Sequence, residues 1–110
     1  MELPPEDAKL VTLARSSRAR LQVAQGAAVR DLDGRTYTAA TVHLDTLRVS
    51  ALDLAVAMAV SSGAKGLEAV ALVTEGDVPV GLDSVIEFGG AGVTVVVADP
   101  AGAVDTVLST

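Results

Sequence analysis

The residues of this chain that could do chemistry are few, and they lie between Thr41 and Asp83. His43 is the only histidine, and there is no cysteine. Without cysteine there can be no thiolate nucleophile, disulfide or thiolate metal site. Ser50 could act as a nucleophile only beside a His-Asp pair, and the sequence places no such pair near it. The sequence therefore does not support catalysis by a hydrolytic triad.

Each remaining candidate residue can be interpreted as having a structural role or a functional one. His43 falls on a loop, where a single histidine is either a surface residue or a ligand or base. Asp53 could replace a catalytic acid only if its helix were rotated. We favour a partly buried carboxylate that pairs with Arg48 or an N-terminal arginine, because acids enter cores when they are paired. For Asp83 we favour a helix cap over a metal ligand.

The element that must position these residues is the apolar stretch 47–63. It reads as one helix, closed by Gly63, with hydrophobic residues on nearly every side. A helix of this kind is buried on several faces. It follows a hairpin and precedes an apolar strand, so we expect it to be the central helix of the fold.

The rest of the chain predicts a mixed α/β domain. An amphipathic helix follows Pro4 and Pro5 and turns Leu10, Leu13 and Ala14 inward, with Leu21 as a further candidate at the same spacing. An Asp33-Gly34 turn joins two β-prone runs into a hairpin. The further expected elements are strands at 66–74 and 92–99, a short helix at 80–88, and a last short helix or frayed tail at 101–110. The predicted order is α-β-β-α-β-α-β-α, a three-layer α-β-α fold, in a single domain over residues 1–110.

The charge distribution argues against a general nucleic-acid binder. Net charge is −6, whereas nucleic-acid binding needs a basic surface. Arg15, Arg18 and Arg20 could still bind phosphate or RNA, although we favour a solvated helix face. All basic residues lie at or before Lys65. The acidic remainder could dock a partner's basic helix, but we favour a role in solubility.

The composition predicts a cytoplasmic protein that does not enter a membrane. The N-terminus has no apolar region typical of a signal peptide. The apolar runs are shorter than the ~18–20 residues that a bilayer span needs. The lack of cysteine fits a reducing compartment.

Several motifs together resemble the cytidine deaminase family of nucleoside and blasticidin S deaminases. Residues 26–29 are similar to the first strand of that family, and 33–38 to its D-G-x-x-Y hairpin. Residues 49–63 are similar to the helix that carries its I-C-A-E motif. Residues 79–83 stand where P-C-G-x-C is expected. The resemblance covers about residues 8 to 99 and implies the deaminase fold.

The chain departs from the family where the chemistry should be. Zinc deaminases hold Zn²⁺ with a His or Cys and two further Cys, and a Glu carries the proton. By this resemblance Ser50 stands at the first ligand position, Leu52 at the glutamate, and Val80 and Asp83 at the other ligands. One Asp cannot supply the three protein ligands of a catalytic zinc. We therefore expect no cofactor, although the family binds zinc.

The ribose-binding loop differs as well, and two functions remain open. Thr41 and His43 stand where active members carry N-x-E. The preferred interpretation is a non-catalytic deaminase-like protein that forms a homo-oligomer, a dimer or tetramer, through the central helix. A charged substitution at Ala55 would then separate the subunits. The alternative is a nucleoside- or nucleotide-type small-ligand binder, or a related hydrolase, with a reworked pocket. That pocket would comprise Thr41, His43, Ser50 and Asp83.

Overall fold

The computed structural model describes residues 2–76 and 80–110, and contains three helices and seven strands in that part of the chain. The helices are α1 (Pro5–Leu21), α2 (Ala51–Ser61) and α3 (Asp83–Gly89). The strands are β1 (Gln25–Asp31), β2 (Thr36–Ala40), β3 (Val42–His43), β4 (Arg48–Val49), β5 (Leu67–Thr74), β6 (Thr94–Ala98) and β7 (Val104–Ser109). Among the described residues, no helix is both long enough and apolar enough to cross a membrane.

Five of the strands form one mixed sheet in the order β2-β1-β5-β6-β7. The β5–β6 pair is parallel, and the other neighbouring pairs are antiparallel. Strand β5 lies in the middle and is buried along nearly its whole length, as expected for a strand that is covered on both sides. The predicted fold class, an α/β protein with a mixed sheet, is confirmed.

Helix α1 covers one face of the sheet as an amphipathic helix. Leu10 and Ala14 are fully buried and Val11 is nearly so, and they pack on a cluster that includes Ala71. The helix approaches β1 closely, because a Cβ atom at Gly26 would overlap the carbonyl oxygen of Ala14. Of the apolar residues predicted to face inward, Leu13 is only partly buried, and Leu21 at the end of the helix is exposed.

Helix α2 covers the opposite face together with α3, but it is shorter and less enclosed than predicted. Its inner residues are Ala51, Leu52, Ala55, Val56 and Ala59. The prediction of burial on several faces is wrong, because the outer surface is apolar yet exposed. Ala55 lies in the core at 0% exposure, so a charge there would disrupt the monomer and would not test an interface.

The first residues of the predicted central helix adopt another structure. Arg48 and Val49 form the short strand β4 and pair with His43 and Val42. Ser50 then caps α2, since its Oγ accepts a hydrogen bond from the Asp53 amide at 3.1 Å. A side-chain oxygen in this position satisfies an amide that has no partner inside the helix.

The C-terminal segment is a strand, and the predicted helix or frayed tail at 101–110 is wrong. The chain reverses after Pro100 through a turn in which Gly102 has a φ of 90°. The Asp99 carboxylate accepts the amides of Ala101 and Ala103 at 3.0 and 2.9 Å. Residues 104–109 then pair antiparallel with β6. Their β-branched residues, Val104, Thr106 and Val107 among them, suit a strand better than a helix.

Candidate functional site

A cavity of about 330 Å³ opens at the N-terminus of α2. It lies between α2, β1, β5 and the segment that enters α3. Its described lining consists of Gln25, Ser50, Leu52, Asp53, Leu72, Val80, Gly81 and Asp83. The structure therefore brings together four positions that the family resemblance aligned with zinc ligands or with the catalytic glutamate: Ser50, Leu52, Val80 and Asp83.

Ser50 and Leu52 occupy the start of α2 with structural roles of their own. The Ser50 hydroxyl is the N-cap acceptor of the helix. Leu52 is only 2% exposed and belongs to the core cluster beneath α2. The cavity wall at the position of the family's glutamate is therefore an aliphatic side chain, which cannot accept or donate a proton.

Asp53 joins α2 to α3 and does not form the predicted ion pair. It is exposed, and its Oδ1 accepts the Ser84 hydroxyl at 2.6 Å. Arg48 instead donates to the carbonyl oxygen of Leu44 at 3.3 Å. The prediction of a buried, arginine-paired Asp53 is wrong, because the first turn of α2 turns this residue toward α3 and solvent.

Asp83 also differs from its predicted role as a helix cap. The N-cap of α3 is Leu82, which has no side-chain capping bond, and Asp83 is the first residue of the helix. Its exposed carboxylate lies in the first helical turn, where negative charge is favourable. Segment 77–79, which includes part of the motif aligned with P-C-G-x-C, lies outside the described residues.

Thr41 and His43 do not lie among the described residues that line this cavity. The Thr41 hydroxyl donates to the Gln25 carbonyl oxygen at 3.2 Å and accepts the Gln25 amide at 3.1 Å. It thereby extends the β1–β2 pairing by one residue. His43 is exposed on β3, opposite Arg48. The four predicted pocket residues therefore separate into two groups, and only Ser50 and Asp83 belong to the cavity.

Gln25 and Leu72 line the cavity and were missed by sequence reasoning. The Gln25 side-chain amide donates to the Thr74 hydroxyl at 3.2 Å, across the β1–β5 pair. Leu72 lies on β5 and faces α2. No local motif marks either residue. The alternation of side chains along a strand predicts which face of the sheet a residue lies on. Whether that residue lies near α2 depends on the order of the strands in the sheet, which the local sequence does not give.

The arginines of α1 make contacts within the chain. Arg15 donates to the carbonyl oxygen of Pro100 at 3.1 Å. Arg18 forms an ion pair with Glu75 at 3.0 Å and donates to the Ala24 carbonyl oxygen at 3.3 Å. Arg20 is exposed. Two of the three basic residues that could have bound RNA thus tie α1 to neighbouring turns.

A carboxylate that was not singled out from the sequence, Asp31, organises the β1–β2 hairpin. It is 1% exposed and accepts three hydrogen bonds at 2.9 Å, from the amides of Asp33 and Arg35 and from the Tyr37 hydroxyl. Desolvation raises the pKa of Asp31, but the bonds from Tyr37 and the two amides outweigh it and lower the pKa overall. The same hydrogen bond, together with burial, raises the pKa of Tyr37.

The neighbouring residue, Arg30, links the α1 side of the sheet by a charged network. It donates to Asp7 at 2.9 Å and to Glu68 at 2.6 Å, and to the Glu6 carbonyl oxygen at 3.1 Å. Desolvation lowers the pKa of Arg30, but the two carboxylates outweigh this effect, so the pKa is raised. The side chains of Arg30 and Asp31 thus lie on opposite faces of the sheet and stabilise different contacts, because successive side chains of a strand point to opposite faces.

The cavity residues do not fit a zinc ion. The Ser50 oxygen already caps α2, and Val80 has no donor atom. The described lining offers two carboxylates, those of Asp83 and Asp53, and Asp53 already accepts the Ser84 hydroxyl. Protein zinc sites use thiolate, imidazole or carboxylate ligands, and a catalytic site keeps three of them. Over residues 2–76 and 80–110, no group of three His, Cys, Asp or Glu side chains lies close enough to hold a metal ion.

Comparisons with solved structures identify proteins of the same fold. Cytidine deaminase from Burkholderia pseudomallei is 24% identical, with a TM-score of 0.79 over 92% of this chain and 90% of that protein. The Mycobacterium leprae enzyme is 23% identical, with a TM-score of 0.74 over 97% and 94%. The Mycobacterium tuberculosis enzyme is 26% identical, with a TM-score of 0.66 over 79% and 80%.

The two sequence comparisons give one negative and one positive result. A search of curated protein sequences finds no significant match. A family model described as cytidine deaminase-like matches residues 3–102, which is most of the chain. This match agrees with the fold shared with the solved cytidine deaminases. The chain therefore belongs to the cytidine deaminase-like family.

Proposed function

We propose that this chain is a non-catalytic member of its family. The observation that carries the proposal is the composition of the cavity: Ser50, Leu52, Val80 and Asp83 stand where the family resemblance calls for three metal ligands and a proton carrier. Ser50 and Val80 are not among the usual zinc ligands, and the aliphatic side chain of Leu52 cannot carry the proton that the family's glutamate would carry. We further propose that residues 1–110 act as one cytoplasmic domain.

Two measurements on the purified protein test the loss of catalysis. Elemental analysis should find zinc well below one equivalent per chain. A cytidine-to-uridine absorbance assay should give the same rate as buffer. The assay should be repeated after incubation with zinc, so that metal lost in purification cannot explain a negative result. Stoichiometric zinc or cytidine turnover above buffer would contradict the proposal.

We also propose that the chain assembles with copies of itself through the outer surface of α2. Met58 and Val60 are 39% and 50% exposed there, and Asp53 is the only charged residue of the helix. An apolar, nearly uncharged helix surface is typical of a buried interface. The role of the protein would then be structural or regulatory within this assembly.

A matched pair of substitutions tests this surface. Met58→Glu places a charge on the outer side of α2, whereas Thr12→Glu places the same charge on the exposed side of α1. Light scattering should give a mass above that of one chain for the native protein and for Thr12→Glu, and a smaller mass for Met58→Glu. A native protein of monomer mass, or identical masses for all three, would contradict an interface on α2.

A second candidate function, small-ligand binding, is favoured by the cavity itself. Its volume of about 330 Å³ lies in the range of ligand sites. Gln25, Ser50, Asp53 and Asp83 supply polar groups above an apolar wall. A nucleoside thermal-shift screen tests it, because a ligand that prefers the folded state raises Tm.

A filled-cavity variant makes that screen specific. A Cβ atom at Gly81 would meet no atom of the described residues within 4 Å, so Gly81→Phe adds a large side chain to the cavity lining at a position with room for its first carbon. A ligand of this cavity should raise the Tm of the native protein and not that of Gly81→Phe. Equal shifts in both proteins would place the ligand elsewhere.

A further inference from the structure

Strand β7 is an open edge of the five-stranded sheet. It lies last in the order β2-β1-β5-β6-β7, with β6 on its only paired side in the described chain. Its six residues include one charged side chain, Asp105, at a register shift near the start of the strand, and no proline, lysine or arginine. Edge strands in proteins are commonly protected by such residues or by a covering element, because an open edge pairs with other strands.

The hydrogen bonds at the end of β7 show which backbone groups point outward. The Thr110 amide donates to the Val93 carbonyl oxygen at 3.0 Å, and Ser109 stands opposite Thr94. In an antiparallel pair, the residues whose backbone groups face the partner alternate with those that do not. Leu108 and Thr106 therefore bond toward β6. The amide and carbonyl groups of Val107 and Ser109 point away from the sheet.

The side chains at this edge are only partly covered, on both faces of the sheet. Val107 stands beside Val96 on the α1 face and is 38% exposed. Leu108 stands beside Val95 on the α2 face and is 44% exposed. A further strand next to β7 would use the open backbone groups and cover both side chains.

We propose that β7 pairs antiparallel with β7 of a second copy, about a two-fold axis at Val107, to form a continuous ten-stranded sheet. In this register Val107 faces Val107, and Leu108 faces Thr106. Asp105 faces Ser109, so the two carboxylates lie at opposite ends of the ladder and avoid a like-charge contact. The strand can thus pair with itself through backbone and apolar contacts and without a like-charge contact, as a two-fold interface requires.

This interface is separate from the proposed α2 interface. Helix α2 packs over β1 and β2, at the other end of the sheet from β7. Either interface alone gives a dimer, and both together give a tetramer. Variants on the two surfaces therefore report on different contacts, and one interface can fail without the other.

Single cysteines test the register directly, because the native chain has none. Directly opposed Cβ atoms lie about 4.5–5.5 Å apart, so Val107→Cys should form a disulfide-linked dimer under mild oxidation. In Ser109→Cys the two sulfurs would be separated by four residues of strand, about 13 Å, and should link far less. Ser16→Cys, on the exposed side of α1, is the collisional control.

Proline at the same position tests the open backbone group. Because the Val107 amide points outward, Val107→Pro removes an edge donor and leaves the β6–β7 bonds in place. Circular dichroism should show a folded protein, and light scattering should show half the native mass. Preferential linking of Val107→Cys with this loss of mass supports the proposal. Equal linking at all three positions, preferential linking at Ser109, or a folded Val107→Pro of native mass would overturn it.

Discussion

Helices α1 and α2 lie on opposite faces of one sheet, but their outer surfaces differ. The outer surface of α1 carries charged residues such as Lys9, Arg15 and Arg20. That of α2 carries Ala57, Met58 and Val60. Both helices bury a comparable inner stripe, so the monomer fold does not explain the difference. This difference is the basis of the proposal that α1 faces water and α2 faces another copy of the chain.

The polar contacts that fasten the two sides differ as well. On the α1 side, Arg30 joins helix and strands through Asp7 and Glu68. On the other side, Asp31 fixes a turn through Tyr37 and local amides. The first network joins elements that are distant in sequence, whereas the second is local. Loss of the first should loosen a helix, and loss of the second should loosen a hairpin.

The largest effect on monomer stability should come from the buried stripe of α1. Leu10→Ala removes a fully buried side chain and should lower the free energy of unfolding by about 2–5 kcal/mol. Leu21→Ala removes the same atoms from a residue that is 57% exposed and should change it by less than about 0.5 kcal/mol. Urea unfolding measures both. Equal losses would mean that α1 is not docked as described.

The Asp31 cluster should give a pH-dependent effect. A carboxylate with a lowered folded-state pKa stabilises the protein above its unfolded pKa, here 3.8, and this contribution is lost as pH falls through the folded value. Thermal unfolding of the native protein and Asp31→Asn should therefore differ by a constant amount from neutral pH to about 4. The difference should shrink at lower pH, and a constant gap down to pH 2 would contradict the lowered pKa.

The ionic contact of α1 should contribute less than its apolar stripe. Asp7→Ala leaves Arg30 with Glu68 and the Glu6 carbonyl oxygen, so we expect a loss of about 1.5–3 kcal/mol, typical of a hydrogen bond between charged groups. Glu6→Ala removes an exposed carboxylate from the same turn and serves as the control. If both variants unfold at the same urea concentration as the native protein, the network does not fasten α1.

The smallest effect should come from the cap of α2. Ser50→Ala removes the acceptor of the Asp53 amide and should cost about 1 kcal/mol. The N-cap of α1, by contrast, is Pro4, which makes no side-chain cap bond. Ser61→Ala, at the exposed end of α2, is the control. A Ser50→Ala protein of native stability would show that the hydroxyl is free for another role.

Much of the candidate site could be predicted from the sequence through the family resemblance. Ser50, Leu52, Val80 and Asp83 do lie around one cavity, although thirty residues separate Ser50 from Val80. The residues chosen only for their chemistry were less successful. His43 and Thr41 fall outside the lining, and Asp53 bonds Ser84 in place of an arginine. The type of a side chain does not specify the direction in which it points. For Asp53 that direction depends on the residue at which α2 begins.

The amino-acid sequence by itself determined the order of the elements through β6, apart from the short strands β3 and β4, because periodicity, capping and turn chemistry are local. It also determined which chemical groups are available at the start of α2. Tertiary structure decided what depends on distant neighbours. Residues 101–110 form a strand because β6 offers them an edge, and the outer side of α2 is exposed because the sheet covers only one of its apolar faces. Apolar residues indicate which surfaces favour burial. Only the packed structure shows which of those surfaces the chain buries within itself.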